Sequence, residues 1–147
     1  MEIRRCSVCS QKFSYDKVGK TYCSPKCKKS AYRQRVYEKN QGNWEWFFKG
    51  ILNSREDRKN LTPKILIKIL KEQNYRCALS GVRMTCIRKK GATIFTNASI
   101  DRIKAGEEYN SENVQLVCRA VNSFRSTLPI PEYLEWCRKV VAHNKVK

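Results

Sequence analysis

The chain has 147 residues, of which 31 are lysine or arginine and 13 are aspartate or glutamate, so its formal net charge is +18. Its 41% apolar content, with only 6 glycines and 4 prolines, excludes a disordered or collagen-like chain. No apolar run approaches the roughly 18 residues that a membrane span needs, so we expect no membrane partner. So large a positive charge costs self-repulsion and favours a polyanion, whose released counterions drive binding. We therefore expect a nucleic acid as partner, with a basic surface kept only for solubility as the alternative.

Four cysteines near the N-terminus form two short-spaced pairs, Cys6-x2-Cys9 and Cys23-x3-Cys27. The first residues lack the apolar segment of a secretion signal, so we expect a cytoplasmic protein, located in the bacterial host if it is encoded by a phage. Paired cysteines in that compartment are typical of metal sites, and two such pairs supply the tetrahedral thiolate set that Zn²⁺ prefers. The sequence predicts a zinc-finger module over residues 1–40.

This module resembles short treble-clef or ribbon-like zinc modules in which a turn, here YCSPKC, leads into a basic helix. Its first role is to staple a segment too short to build its own core, and its second is contact with DNA. Basic residues of the helix are the candidates for that contact: Lys28, Lys29, Arg33 and Arg35.

Two helical segments are predicted on either side of Gly42, and we assign 41–61 to a helical linker. Its aromatic run NWEWFF could stack on bases, but packing in a core is the favoured interpretation. A further helix is predicted over 62–73, where Thr62 is a suitable cap and Pro63 a suitable first residue.

The C-terminal half alternates short strands with helices. Residues 92–103, which include TNASIDRI, alternate enough to predict a strand, and a polar loop, KAGEEYNSE, follows. Residues 113–118 predict a second strand, and 119–128 a helix. A last helix is predicted over 131–143, opened by Pro131. The predicted fold class is therefore α+β.

The motifs YRCALSG, NASIDRI and EEYNSENVQLVCRAVN follow one another in this half. In that order they resemble the HNH (ββα-metal) endonuclease family, especially its small phage-type members. The Asp-His pair of the family aligns with Asp101-Arg102, its central asparagine with Asn113, and its helix residue with Asn122. The resemblance implies a ββα-metal nuclease domain with flanking helices over 62–147, preceded by the zinc finger and the linker.

The resemblance also implies a reaction. Asp101 and Asn122 would hold Mg²⁺ or Mn²⁺, which prefer carboxylate and amide oxygens, for hydrolysis of phosphodiester bonds in double-stranded DNA. Asn113 would shape the loop through backbone hydrogen bonds. Arg102 stays protonated and cannot act as a general base, although it could clamp a phosphate. Nicking by a monomer is the simplest activity, and a homodimer is the alternative.

Many family members staple this unit with a zinc ion held by two Cys-x2-Cys pairs, but here each pair lacks its second cysteine. We expect the remaining Cys77 and Cys118 to be buried thiols. A second four-cysteine site that also uses Cys86 and Cys137 is the less favoured alternative. The apolar helix at 131–141 would replace the missing staple by packing.

Further basic residues flank the predicted nuclease site and are candidates for contacts with DNA phosphates. These are Arg83, Arg88, Lys89, Lys90, Lys104, Arg119 and Arg125. Two alternatives to an endonuclease remain open. One is a catalytically disabled HNH-fold DNA-binding protein, acting as a regulatory or packaging accessory, and the other is an RNA-binding or RNA-cleaving zinc protein.

Overall fold

The computed structural model describes residues 2–15 and 19–144 and divides the chain into two compact units. The first unit comprises the residues up to Gln41 together with Arg88–Ala92. The second comprises Gly42–Ile87 and the residues from Thr93 onward. The described residues form five α-helices and two small antiparallel sheets, so the α+β class expected from the sequence is confirmed.

The first unit consists of a β-hairpin and one helix. Strands β1 (Glu2–Arg5) and β2 (Lys12–Tyr15) pair antiparallel, and α1 spans Pro25–Lys39. Ser24 begins α1 as its N-cap, since its hydroxyl accepts a hydrogen bond from the Cys27 N–H. Because α1 buries none of its residues, the unit has almost no apolar core and needs another source of stability.

Two helices build one side of the core of the second unit. Helix α2 spans Trp44–Leu52 and α3 spans Pro63–Glu72, with the single 3-10 turn Glu56–Arg58 between them. The predicted cap of α3 is confirmed, because the Thr62 hydroxyl accepts from the Ile65 N–H at 3.3 Å. Of the segment 41–61, assigned to a helical linker from the sequence, the residues from Gly42 onward belong to the second unit and contribute a helix to it.

The aromatic run of α2 lies in this core rather than on a surface. Phe47 and Phe48 are buried, and Trp44 packs beside them and against Tyr75. These rings are therefore occupied by packing inside the second unit.

The other side of the core is a hairpin followed by a helix. Strands β3 (Ala98–Arg102) and β4 (Val114–Cys118) pair antiparallel with Asp101 opposite Gln115. Helix α4 (Arg119–Arg125) follows directly and packs on both strands. The outer edge of β4 is closed by Gln73, whose side-chain amide accepts from the Leu116 N–H and donates to the Leu116 carbonyl.

Helix α5 (Ile130–His143) does not pack as the sequence suggested. Tyr133 is buried against the Phe124 ring, but Trp136 and Val140 remain 54% and 49% exposed. The expectation that this helix replaces a missing zinc staple is therefore wrong for all but its first turn. None of the helices in the described residues combines the length and the apolar character that crossing a bilayer requires.

The core makes a first prediction about stability. Phe48 is fully buried, so Phe48→Ala should lower the free energy of unfolding of the second unit by about 3–5 kcal/mol, through reduced burial and a residual cavity. Chemical denaturation followed by tryptophan fluorescence measures this change. Phe95→Ala is the matched control, because Phe95 is 65% exposed and should cost little. Equal losses of stability for the two variants would contradict the assignment of the core.

Candidate functional site

Four cysteines of the first unit converge on one point. Cys6 and Cys9 lie in the turn after β1, and Cys23 and Cys27 at the start of α1. Their four Sγ atoms lie within 4.8 Å of one another. The Cys9–Cys23 and Cys23–Cys27 Sγ distances are 3.5 and 3.6 Å. A zinc ion with bonds of about 2.3 Å to four sulfurs needs edges of roughly 3.8 Å, so these side chains fit a tetrahedral metal ion.

The ionisation of the four thiols also depends on a cation between them. The Cys23 thiol shares a hydrogen bond with Cys9 Sγ and donates one to Cys27 Sγ, and these bonds raise the pKa of Cys23 to about 12. Backbone hydrogen bonds, first from the Cys23 N–H, lower the pKa of Cys6 to about 6. Thiols this close compete for protons and cannot all ionise without a cation between them. A bound Zn²⁺ would hold the four as thiolates and join the hairpin to α1.

The predicted nuclease residue Asp101 is buried in an ion pair. It is 3% exposed, and its Oδ1 accepts from Arg125 Nη1 of α4 at 2.5 Å. Its Oδ2 accepts from Gln115 Nε2 on the neighbouring strand at 2.9 Å. Both oxygens therefore have partners, and the structure does not leave Asp101 open as the metal ligand expected from the sequence.

Arg102 lies on the other face of the hairpin. Successive side chains of a strand point to opposite faces, and the pairing of β3 with β4 is regular through Arg102. Its Nη1 donates to the Glu107 carbonyl at 3.0 Å, and its guanidinium lies 4.9 Å from the centre of the Tyr109 ring. The structure therefore does not bring Arg102 together with Asp101 in one site.

Asn113 ties down the loop between the strands. Its Oδ1 accepts from the Lys104 N–H at 2.9 Å, and its Nδ2 donates to the carbonyls of Lys104 and Glu108 at 3.3 and 3.1 Å. These are backbone contacts of the kind that the sequence suggested, and they fix the loop against the end of β3.

Asn122 of α4 lies on the same face of the hairpin as Asp101. Its Nδ2 donates to Ser99 Oγ at 2.6 Å and to the Ile100 carbonyl at 3.2 Å. Ser99 precedes Asp101 by two residues and shares its face of β3. The structure therefore brings Asp101 and Asn122 together on the side of the sheet that α4 covers.

The four later cysteines do not form a second metal cluster. Cys77, Cys86 and Cys118 are buried and Cys137 is partly buried, as expected for thiols in a core. Among the described residues, the N-terminal set is the group of cysteines and acids close enough to hold a metal ion. The Ser80 N–H donates to Cys77 Sγ at 3.4 Å, and this hydrogen bond lies within the turn between the two residues.

Most basic residues predicted to contact DNA are exposed. Lys28, Lys29, Arg33 and Arg35 lie on α1, and the exposed set also includes Arg83, Lys89, Lys90, Lys104 and Arg119, with Arg88 partly buried. Arg125 is an exception, because it is 1% exposed and bonded to Asp101 and to the Ile103 carbonyl. The expectation that Arg125 contacts DNA is therefore wrong.

Sequence reasoning missed the polar side chains that hold these elements in place. Gln115 bonds to Asp101, Ser99 to Asn122, and Gln73 to the edge of β4. The signal for Gln115 was available, since it pairs with Asp101 in the hairpin register. Gln73 carried no comparable signal, because its partner Leu116 lies 43 residues away.

No protein-family model, curated protein or solved structure matches this chain. The resemblance to HNH nucleases therefore rests on the motifs in the sequence alone.

The four-cysteine cluster predicts one zinc ion per chain. Cys9→Ser should lose that zinc and unfold the first unit while the second unit stays folded, because the first unit has little core of its own. Elemental analysis and backbone amide NMR spectra measure the two effects. Cys86→Ser changes a buried cysteine outside the cluster and should keep the zinc. A full zinc content in Cys9→Ser would overturn the assignment.

The Asp101–Arg125 pair predicts a large effect of removing one partner. Arg125→Met should destabilise the second unit by about 3–5 kcal/mol, because it leaves the carboxylate buried without a counter-charge. Adding Asp101→Asn should recover part of this stability, which a double-mutant cycle by chemical denaturation measures. Arg138→Met, which breaks an exposed pair with Glu135, serves as the control and should change stability very little. If the stability losses of Arg125→Met and Asp101→Asn simply add in the double variant, the two side chains do not interact directly.

Proposed function

We propose that this protein binds double-stranded DNA through its zinc-stapled basic unit. We further propose that β3, β4 and α4 form an HNH-type ββα unit in which Arg125 takes the position of the catalytic cation. The observation that carries this second proposal is that both carboxylate oxygens of Asp101 accept hydrogen bonds, one from Arg125 and one from Gln115. The guanidinium already neutralises the carboxylate in a buried site.

The charge distribution supports DNA as the partner. The net charge is +18, and α1 presents exposed lysines and arginines without burying any residue. A helix of this kind gains little from packing, so its cations are available to phosphates. The contacts are of the type that gives affinity without reading the sequence.

Binding without cleavage is the version that the geometry favours. Phosphodiester hydrolysis on this type of unit needs a cation with open coordination positions beside a group that can accept a proton from water. Asp101 has no free oxygen for such a cation, and Arg102 has no acceptor atom and lies on the opposite face of the hairpin. A metal cation and a proton acceptor are therefore not brought together in one site.

A metal-dependent endonuclease is the second candidate, and one observation favours it. Asp101 and the Asn122 side chain of α4 lie on the same side of the hairpin. If Arg125 moved away, they would be the residues to hold Mg²⁺ or Mn²⁺, which would stabilise charge on the scissile phosphate. The cost of that movement is the loss of a buried ion pair, and this makes it the less favoured candidate.

A cleavage assay separates the two candidates. Zinc-loaded protein incubated with supercoiled plasmid and Mg²⁺ or Mn²⁺ should bind the plasmid and leave it uncut. Reproducible nicking that is abolished in Asn122→Ala and kept in Ser123→Ala, its exposed neighbour, would replace our proposal with the endonuclease. Circular dichroism of both variants shows whether they remain folded.

A binding titration tests the partner. Replacing Lys28, Lys29 and Arg33 with alanine should weaken duplex binding and make the affinity less dependent on salt. The slope of log affinity against log salt concentration should fall by about 0.9 for each phosphate that is no longer neutralised, because fewer counterions are released. Fluorescence anisotropy at several salt concentrations measures both quantities.

Replacing Arg138 and Lys139 on α5 removes exposed charge elsewhere and is the control for this titration. It should leave both the affinity and the slope nearly unchanged. Stronger competition by structured RNA than by duplex DNA would assign RNA as the partner instead.

A further inference from the structure

The first unit carries an open groove of about 440 Å³. Its walls are the turn of the first cysteine pair, the residue before Cys23 and one side of α1, and a side chain from Arg88–Ala92 completes it. This volume lies within the roughly 300–1,000 Å³ of typical small-ligand sites, and the open form would let a longer chain enter and leave.

The groove is lined by groups of three kinds. Arg35 and Lys90 supply positive charge, Ser7 and Gln34 supply neutral hydrogen-bonding groups, and Tyr22 supplies an aromatic ring that is half-buried. No acidic residue lines the groove, although Gln34 Nε2 donates to Glu38 Oε1 beside it at 3.0 Å. A ligand that suits all three kinds of group has an anion, a polar edge and a flat face.

Lys90 is brought to the groove from a distant part of the chain. Its Nζ donates to Ser30 Oγ of α1 at 2.7 Å, and the Gln41 side chain donates to the Arg88 carbonyl at 2.9 Å. These two hydrogen bonds hold a short cationic segment against a helix that is itself basic. Placing like charges together costs energy, and an anion bound between Lys90 and Arg35 would offset it.

We propose that this groove holds one unpaired nucleotide of a DNA strand. The base stacks on Tyr22, Gln34 bonds to its edge, and the phosphate lies between Arg35 and Lys90. This inference rests on the proposed DNA binding and adds a preference for DNA with a single-stranded end. An aromatic ring accepts any base, so the groove recognises unpaired structure rather than sequence.

The test compares blunt duplex DNA with the same duplex bearing a short single-stranded overhang. Zinc-loaded full-length protein should bind the overhang DNA more tightly than the blunt DNA in fluorescence anisotropy titrations at fixed salt. Tyr22→Leu should weaken overhang binding at least about fivefold, the low end of the contribution of one stacked base, and leave blunt binding unchanged. Lys90→Ala should weaken overhang binding more than it weakens blunt binding.

Matched variants separate the groove from general charge and folding. Tyr32→Leu removes a tyrosine of α1 that does not line the groove, and Lys89→Ala removes the neighbouring charge. Neither should change the preference for the overhang. Lys90 lies outside the zinc turns, so Lys90→Ala provides the answer even if Tyr22→Leu loses zinc.

The outcomes distinguish this inference from the proposed function. Equal affinity of the wild type for blunt and overhang DNA, or equal weakening on both in Lys90→Ala, would overturn the groove assignment and leave DNA binding intact. An absence of binding to either DNA would overturn both.

Discussion

The buried pair of Asp101 and Arg125 is the interaction on which the second unit depends. Moving two charges out of water costs several kcal/mol for each ion, and their attraction and further hydrogen bonds must offset that cost. Gln115 donates to the second carboxylate oxygen, and the Ile103 carbonyl accepts from Arg125 Nη2. Arg125 Nε is buried without a hydrogen-bond partner, so part of the cost is not offset. Through these contacts one side chain of α4 fixes β3, β4 and the start of the loop together, so the helix cannot shift without exposing a charge.

The same pair separates Asp101 from its neighbour in the motif, Arg102. The residues of the motif lie on one hairpin and the helix that follows it. Side chains alternate between the two faces of β3, so Asp101 faces α4 while Arg102 faces Tyr109. A motif fixes the order of residues along the chain and not the face on which each lies. Arg125, three residues after Asn122, supplies the positive charge that neutralises Asp101.

The parts of the fold that were predictable from the sequence are those encoded locally. Thr62 and Pro63 mark the start of α3, and the alternation around Ile100 marks β3. Features set by distant contacts were not predictable. Gln73 satisfies Leu116 across 43 residues, and Lys90 reaches Ser30 across 60. The hairpin of the first unit was also missed, because its strands are four residues long and mostly exposed.

The two units obtain their stability in different ways, and this has a consequence for binding. The second unit has an apolar core built from α2, α3 and the hairpin, so its fold does not require a metal. The first unit buries little beyond Cys6 and Tyr15, and the cysteine cluster joins its hairpin to the basic helix. Ser7 and Tyr22 of the groove neighbour cysteines of that cluster. In the proposed function, a zinc ion in that cluster would act on nucleic-acid binding indirectly, because it would hold the cations and the aromatic ring in one arrangement without contacting the ligand itself.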